Sequence, residues 1–195
     1  SPQYVIAFYA IMRARGVVVP VNPMTRADEL PHYIQDPEAR VAIVAADLLP
    51  EFERAQSLLP PDARLATVLV ARYLDHADPA RLAPDEQPPQ AWRPWLEADP
   101  ILPEWAVRWS DAVGAGHRPP PYAGEPDDLV ALCYTSGTTG SPKGCMHSHL
   151  TIGHNVIASP LWANTSVADV TLGVVPMFHI TGMVFYAHVP AYLGC

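Results

Sequence analysis

Short, continuously apolar runs alternate along residues 1–78 with segments of helical periodicity. The apolar runs, which predict buried strands, are 17–19, 41–44 and 65–70. Residues 4–15 carry apolar side chains at helical spacing, and helices are also predicted over 25–36 and 47–59 from the residues at their ends. Strands that are apolar on both faces are typical of parallel sheets covered by helices. The alternation therefore predicts an α/β fold with a mostly parallel sheet flanked by helices.

The ends of these helices are indicated by residues that start or stop a helix. Thr25, followed by Asp28, resembles a capping box and predicts the start of the second helix. Asp47 predicts the start of the third helix. Gly16 and Pro37 predict where the first two helices end.

Residues 79–126 break this rhythm. They hold eleven of the chain's 23 prolines and four of its five tryptophans, and no helical or strand period continues through them. The composition predicts an irregular surface excursion or linker between the βα units of 1–78 and a third part, 127–195. We expect the tryptophans to hold the excursion against the body of the protein, because buried aromatic side chains mainly contribute apolar contact area.

The third part opens with the apolar run 129–134, which predicts a strand that leads directly into a glycine-rich loop. The pattern after the loop predicts a return strand over 145–147, a helix from 148 or 149 to 163, a strand over 169–175 and a helical segment over 183–193. Pro176 closes the last predicted strand, and Pro190 interrupts the last helical segment.

The charge of the chain is negative and unevenly distributed. A net charge of −8 with no cluster of lysine or arginine argues against nucleic acid or an anionic membrane surface as the main partner. From Leu129 to Cys195, Lys143 and Asp169 are the only charged residues apart from histidines. Because a free protein surface is about a quarter charged or more, we expect this part to lie inside something larger.

The number and spacing of the cysteines and the hydropathy of the chain indicate the cellular compartment in which we expect the protein. Cys133, Cys145 and Cys195 are odd in number and show no paired spacing, which suits a reducing compartment. No apolar run approaches the roughly 20 residues that a membrane helix needs, and the first residues do not resemble a signal peptide. We therefore expect a cytoplasmic protein with no transmembrane segment.

Lys143 is the only lysine of the chain, and it lies in a stretch of glycines and hydroxyl side chains, residues 134–144. Lysine acts on phosphate as a mobile point charge, glycine lets backbone N–H groups approach an anion, and hydroxyls add donors. The stretch is not a Walker A loop, because Lys143 follows Pro142 and precedes Gly144. It nevertheless predicts a loop that holds the phosphates of a nucleotide.

Three segments carry recognisable motifs in a fixed order. They are the helix–strand element 11–23, the loop segment 132–144, Leu-Cys-Tyr-Thr-Ser-Gly-Thr-Thr-Gly-Ser-Pro-Lys-Gly, and the Pro-x-Phe-His-x-x-Gly segment 176–182. Together they resemble the adenylate-forming enzymes, which comprise acyl-CoA synthetases, luciferases and peptide-synthetase adenylation domains. The resemblance spans nearly the whole chain, is weakest over 79–126, and is best to the fatty acid–CoA ligase branch.

The resemblance implies a two-step reaction, in which a carboxylate attacks the α-phosphate of ATP and the acyl group then passes to the thiol of coenzyme A. In the family Mg²⁺ assists the first step. Carried over residue by residue, Lys143 and His179 are the catalytic candidates. The candidates for binding the nucleotide are Thr135, Ser136, Gly137, Thr138, Thr139, Gly140 and Lys143. Without the resemblance, His179 would more often be a neutral hydrogen-bonding residue.

The resemblance also indicates which class of carboxylic acid is expected as the substrate. Peptide-synthetase adenylation domains carry an aspartate at the position of His179, which pairs with an α-ammonium group. A histidine there favours a simple carboxylic acid, and a medium- or long-chain fatty acid is the first choice. An aryl or other short acid stays open, as does a non-catalytic module that binds nucleotide or another protein. We expect ATP, coenzyme A and the acid as partners, and a homodimer also stays open.

The resemblance further implies that the chain is a fragment of the family's large N-terminal domain. Three parts of the family have no counterpart in these residues. They are the threonine–glutamate segment associated with Mg²⁺, the ribose-binding aspartate and the C-terminal domain. We therefore expect no metal site and no adenylation activity from these residues alone. His147 and His149 lack the neighbours that a zinc site requires, and Cys145 is expected to be a small core residue.

Overall fold

The computed structural model describes residues 1–78, 81–83, 85–135 and 140–195. The chain forms two units, one from Ser1–Ala7 and Pro23–Arg118, the other from Phe8–Asn22 and Pro119–Cys195. Helix α1, Pro2–Arg13, contributes its first residues to one unit and the rest to the other. None of the helices in the described ranges is long and apolar enough to cross a membrane.

A three-stranded parallel sheet organises the first unit. Strand β1 (Val41–Ala45) pairs with β2 (Thr67–Ala71), and β2 pairs with β3 (Ala106–Arg108). The helices of this unit are α2 (Leu30–Gln35), α3 (Leu49–Leu58), α4 (Arg93–Leu96) and α5 (Trp109–Gly114). Turns of 3₁₀ helix lie at Ala46–Leu48, Pro61–Ala63, Tyr73–His76 and Gln90–Trp92. The predicted α/β fold is confirmed.

The core of the first unit lies around the central strand β2. Val68 and Val70 of this strand are 0% and 3% exposed. Trp109, at the start of α5, is buried together with Ala71 and Ala7. Because each fully buried aliphatic or aromatic side chain contributes about 1.5–3 kcal/mol, these contacts are the main reason that the short strands stay together.

A buried glutamine joins helix α3 to the residue just before β2. The side-chain amide of Gln56 donates to the carbonyl of Leu65 over 3.1 Å, and its oxygen accepts from the N–H of Leu65 over 2.9 Å. Leu65 precedes the strand and is 3% exposed, so its backbone N–H and carbonyl are buried polar groups that need partners. The glutamine therefore replaces a missing strand neighbour at this position.

The predicted capping box at Thr25 and Asp28 is wrong. Helix α2 begins only at Leu30. The carboxylate of Glu29 accepts from the backbone N–H of Arg26 over 2.9 Å and closes a turn instead. A local side-chain bond that stabilises a turn competes with helix initiation, so the helix starts after this turn.

The predicted N-cap at Asp47 is wrong as well. Asp47 lies inside a 3₁₀ turn, and helix α3 begins at Leu49. The carboxylate of Asp47 accepts a hydrogen bond from the indole N–H of Trp95 over 2.7 Å. The side chain thus makes a tertiary contact with the tryptophan-rich segment rather than a local cap.

The prediction that 79–126 has no regular structure is wrong, because this segment contributes β3 and α5. Strand β3 was missed because it has three residues, one of them Arg108, and its pairing with β2 is distant in sequence. The prediction for the tryptophans is confirmed at two positions. Trp95 packs on Tyr73 with ring centroids 4.1 Å apart, and buried Trp109 donates to His76 Nε2 over 3.2 Å.

An antiparallel hairpin and helices form the second unit. Strand β4 (Leu129–Thr135) pairs with β5 (Lys143–Ser148), and helix α6 (His149–Ala163) follows at once. Helices α7 (Ile180–Gly182) and α8 (Val189–Leu193) are joined by a π-helical segment, Met183–His188. These elements confirm the predicted hairpin strands, the helix after them and the last helical segment.

The start of α6 follows from a reciprocal cap. The hydroxyl of Ser148 accepts from the N–H of Thr151 over 3.3 Å, and the hydroxyl of Thr151 accepts from the N–H of Ser148 over 2.9 Å. Such a capping box satisfies two backbone donors that a helix start leaves free. It fixes the point at which β5 ends.

Two predicted strands of the second unit do not form as expected. Residues 169–175 adopt no strand, and Val170 and Leu172 are 96% and 79% exposed. A strand needs a neighbour for its backbone hydrogen bonds, and no described segment pairs with this one. Within 17–19, only Val18 pairs, through a single parallel bridge to Ala131.

We expect Gln56→Leu to lower the free energy of unfolding by about 2 kcal/mol, because it leaves a buried N–H and a buried carbonyl of Leu65 without partners. Urea unfolding followed by tryptophan fluorescence measures the change. Gln35→Leu, at an exposed position, is the matched control and should change stability by less than about 0.5 kcal/mol. Equal stability of the two variants would contradict the role of Gln56.

Candidate functional site

The β4–β5 hairpin positions the predicted phosphate loop. Its register pairs Thr135 at the end of β4 with Lys143 at the start of β5, and both residues are exposed. They therefore face each other where the ladder opens into the loop. The predictions for Ser136, Gly137, Thr138 and Thr139 concern residues outside the described ranges.

Lys143 carries a charge that no described carboxylate neutralises. In the ranges that the structure describes, none of the ion pairs includes its ammonium group. The described residues of the hairpin and its loop, 129–135 and 140–148, contain no aspartate or glutamate. An exposed, unpaired cation at the mouth of a hairpin can bind an anion such as phosphate.

Two glycines shape the backbone beside Lys143. Gly140 has a φ of +106°, a conformation that residues with a Cβ rarely adopt, and open space surrounds it. A Cβ on Gly144 would lie 3.2 Å from the ring of Tyr134, its register partner. Glycine at 144 thus lets the tyrosine ring pack across the hairpin next to Lys143.

The base of the hairpin is held by Val18. The N–H of Val18 donates to the carbonyl of Val130 over 2.7 Å, and the carbonyl of Val18 accepts from the N–H of Leu132 over 2.9 Å. Val18, Val130 and Ala131 are all buried. The segment after α1 therefore pairs with β4 on the chain stretch that leads to Thr135.

His179 lies on a tight turn that precedes α7. Its N–H donates to the carbonyl of Pro176 over 3.0 Å, and its Nδ1 accepts from the N–H of Thr181 over 3.2 Å. A neutral His179 therefore carries its proton on Nε2. A Cβ on Gly182 would lie 2.2 Å from the carbonyl oxygen of Pro176, so the turn requires glycine there.

The two predicted catalytic residues stand on separate elements. In the described part of the chain, no hydrogen bond or ion pair joins His179 to β4 or β5. Lys143 is placed by the hairpin register, whereas His179 is placed by the turn that starts α7. The structure therefore presents two exposed polar side chains, one cationic and one with a ring N–H donor.

A cluster near the start of α6 was not predicted. The hydroxyl of Tyr122 lies 2.7 Å from Nε2 of His149, and the guanidinium of Arg13 lies 5.6 Å from the centre of the Tyr122 ring. Tyr122 lies in the proline-rich segment, where no pattern indicates a contact.

An ion pair lines a cavity of about 530 Å³ beside this cluster. Arg15 donates to Asp128 over 3.3 Å, and both residues line the cavity together with His149. The backbone N–H of Glu125 and the nearby Arg15 hold the pKa of Asp128 below its usual range. The ion pair holds the loop after α1 next to the first residue before β4.

A second cavity of about 410 Å³ is lined mainly by apolar residues and by His188. His188 is 4% exposed, and its Nδ1 lies 2.9 Å from the hydroxyl of Tyr9. Its ring packs edge-on against Phe8 with centroids 4.5 Å apart. Burial lowers the pKa of His188 to about 4, so its imidazole is neutral at neutral pH.

The described residues do not assemble a metal site. Within the described ranges, no group of three or more His, Cys, Asp or Glu side chains is placed to hold a metal ion. Mg²⁺ binds mainly through carboxylate oxygens and substrate phosphates, and the described part of the hairpin carries no carboxylate. The residues present therefore do not fit an Mg²⁺ site of their own.

Curated relatives match this chain over most of its length. It is 30% identical over 187 residues to 4-coumarate–CoA ligase 1 of Oryza sativa subsp. japonica, covering 92% of this chain and 28% of that protein. It is 29% identical over 184 residues to a long-chain-fatty-acid–CoA ligase of Bacillus subtilis, covering 93% of this chain and 32% of that protein. The chain thus spans about a third of the length of the relatives it matches.

Solved structures share the fold. The crystal structure of a long-chain-fatty-acid–CoA ligase from Archaeoglobus fulgidus matches with a TM-score of 0.66 at 23% identity, covering 100% of this chain and 32% of that one. The crystal structure of an anthranilate–CoA ligase in complex with anthranoyl-AMP matches with a TM-score of 0.67 at 24% identity. This match covers 100% of this chain and 32% of that one. At these identities the likeness establishes the fold.

The family comparison covers the whole chain. The AMP-binding enzyme family matches residues 1–195, which include the hairpin, the turn at His179 and the tryptophan-rich segment. With the fold and the ligase relatives described above, this match shows that the chain belongs to the family of AMP-binding, adenylate-forming enzymes.

Proposed function

We propose that this chain is part of an enzyme that activates a carboxylic acid with ATP and transfers the acyl group to coenzyme A. The observation that carries the proposal is the exposed Lys143, which pairs with Thr135 in the hairpin register and has no ion-pair partner among the residues that the structure describes. Membership of the AMP-binding family and the acid–CoA ligase relatives support it. The remaining parts of the active site would come from a longer protein.

The first step brings two anions together. An oxygen of the carboxylate attacks the α-phosphorus of ATP, and pyrophosphate leaves. Because both reactants are negative, the site must neutralise charge and hold the reacting atoms in line. Lys143 can supply the charge as a mobile cation on the β- and γ-phosphates. No carboxylate in the described part of the hairpin competes with these phosphates for it.

The hairpin can add hydrogen bonds to this charge. Thr135 lies opposite Lys143 and offers a hydroxyl donor, and the positive φ of Gly140 is typical of turns whose N–H groups converge on an anion. In the second step, the thiol of coenzyme A attacks the acyl carbon and AMP leaves. The described residues provide no carboxylate set for Mg²⁺, so we assign no step to residues that would hold it.

We further propose that His179 binds near the acid or its adenylate. Its Nδ1 is occupied by the N–H of Thr181, so its Nε2 proton is available to donate to an oxygen of the reacting carboxylate. The turn that carries this side chain requires glycine at position 182. The neutral or cationic ring offers no counter-ion for an α-ammonium group, which disfavours amino acids.

For the acid, we propose a medium- or long-chain fatty acid. Relatives named as medium-chain and long-chain fatty acid–CoA ligases are 30% and 29% identical to this chain. An aryl acid is the second candidate, because the 4-coumarate–CoA ligase relative is 30% identical. The two candidates share the chemistry at phosphorus and differ only in the pocket that holds the acyl group.

We expect Lys143→Ala in the full-length protein to lower ATP–pyrophosphate exchange about 100-fold, because one preorganised charge on the phosphates is lost. Lys143→Arg should retain part of the activity, since it keeps the charge but not the compact geometry. Arg81→Ala, which removes an exposed cation from the other unit, is the control and should leave exchange unchanged. Circular dichroism checks that each variant folds.

The loop assignment would be wrong if Lys143→Ala and Arg81→Ala exchanged pyrophosphate at the same rate as the unaltered protein. An exchange rate that falls equally in both variants would also contradict it, because a general loss of positive charge would then explain the effect. Loss in Lys143→Ala alone, with normal folding, supports the proposed role of the ammonium group.

A panel of acids tests the substrate. We expect kcat/KM for pyrophosphate exchange to be highest with a medium- or long-chain fatty acid, lower with 4-coumarate and anthranilate, and lowest with free amino acids. The last expectation follows from the absence of an acidic side chain at position 179. A higher value with an aromatic acid than with any fatty acid would replace the first candidate by the second.

A further inference from the structure

Two cysteines oppose each other on the hairpin that carries Lys143. The antiparallel register pairs Cys133 of β4 with Cys145 of β5. This pair lies two positions from the pair of Thr135 and Lys143, on the same ladder. Both thiols are free. The sequence alone shows no paired spacing, because a strand, a loop and a second strand separate the two residues.

The register brings the two cysteines within the range that a disulfide needs. Residues directly opposite in an antiparallel ladder have Cα atoms about 4.5–5.5 Å apart, with their side chains on the same face. Disulfides join cysteines whose Cα atoms are about 4.4–6.8 Å apart. The hairpin can therefore accept a cross-strand bond without a change of register.

The two thiols differ in their access to solvent. Cys145 is exposed, which corrects the expectation that it is a core residue, whereas Cys133 is 7% exposed. Burial raises the pKa of the Cys133 thiol to about 11, and the neighbouring Cys145 adds to the effect. An oxidant in solution therefore reaches Cys145 first, and Cys133 is the less reactive of the two thiols.

We propose that Cys133 and Cys145 are a redox modification site, at which a hydroperoxide forms a reversible disulfide across the hairpin. In the first step, the Cys145 sulfur takes an oxygen from the hydroperoxide, which gives a sulfenic acid and leaves water or an alcohol. In the second step, the Cys133 sulfur attacks the Cys145 sulfur and water leaves. In sum, two thiols are oxidised and one hydroperoxide is reduced.

A disulfide at this position would act on the phosphate loop. The bond would fix the twist and separation of β4 and β5 two positions from Lys143, and so restrict how the loop adapts to a nucleotide. This consequence rests on the proposed function, whereas formation of the bond does not. In a reducing compartment such a bond is transient, as disulfides there usually are.

Peptide mapping tests the bond directly. The full-length protein is treated with hydrogen peroxide, alkylated and digested with trypsin without reductant. Lys143 is the only lysine, so cleavage after it separates Cys133 from Cys145. Cys195→Ser is used as the background, because no lysine or arginine lies between Cys145 and Cys195. We expect a linked pair of peptides, 109–143 with the one that begins at Gly144, which dithiothreitol separates.

Single substitutions provide the matched controls. Cys145→Ser and Cys133→Ser should each abolish the linked pair, and Cys133→Ser should leave sulfenic acid on Cys145 that a dimedone probe labels. The proposal is overturned if Cys145 passes to sulfinic or sulfonic acid with no linked pair. A link found only between two protein molecules, seen as a dimer on a non-reducing gel, overturns it as well.

The effect on activity is a separate measurement. We expect pyrophosphate exchange to fall in proportion to the linked fraction, to return with dithiothreitol, and to resist peroxide in Cys145→Ser. A linked protein with unchanged exchange would refute the regulatory effect but not the bond. A reduced protein that exchanges pyrophosphate with no acid would instead refute the proposed function, so the two failures are distinguishable.

Discussion

The pairing of Val18 with strand β4 is the interaction on which the candidate site depends. Two hydrogen bonds, to the carbonyl of Val130 and from the N–H of Leu132, attach the segment after α1 to the middle of β4. Without this bridge, a two-stranded hairpin would be marginally stable, because it buries little apolar surface. With it, the first five residues of β4 are buried or half-buried along the stretch that leads to Thr135. Because β5 pairs with this strand, the register also places the backbone from which the flexible side chain of Lys143 extends.

Local signals predicted much of the fold. The apolar runs that became β1, β2 and β4 were identified because burial on both faces leaves a continuous apolar stretch. Helix α6 was placed correctly because Ser148 and Thr151 form a cap from neighbouring residues. Each of these elements is determined by residues that lie close together in the sequence. A sequence pattern contains only this local information, so it can predict such elements.

The elements that were missed depend on distant partners. Strand β3 has only three residues, and it forms because it can hydrogen-bond to β2. Residues 169–175 have a strand-like sequence, but no described segment pairs with them. Thr25 has the chemistry of a helix cap, yet Glu29 closes a turn that competes with the helix start. Asp47 also has that chemistry, yet its carboxylate accepts a hydrogen bond from Trp95. For the site, the sequence predicts that Lys143 and His179 carry the chemistry, and these two roles stay predictions. It could not show that Lys143 faces Thr135, because register is a property of two strands.

The same register that presents Lys143 also determines what its neighbours can do. In an antiparallel ladder, each position on β5 is tied to one on β4, so a residue that is exposed on one strand can oppose a buried residue on the other. Exposed Cys145 and buried Cys133 lie opposite each other because of the same pairing that places Lys143. A single geometric constraint thus links the charge that would bind phosphate to the pair of thiols. A disulfide between the two cysteines would therefore form two strand positions from the pair of Thr135 and Lys143.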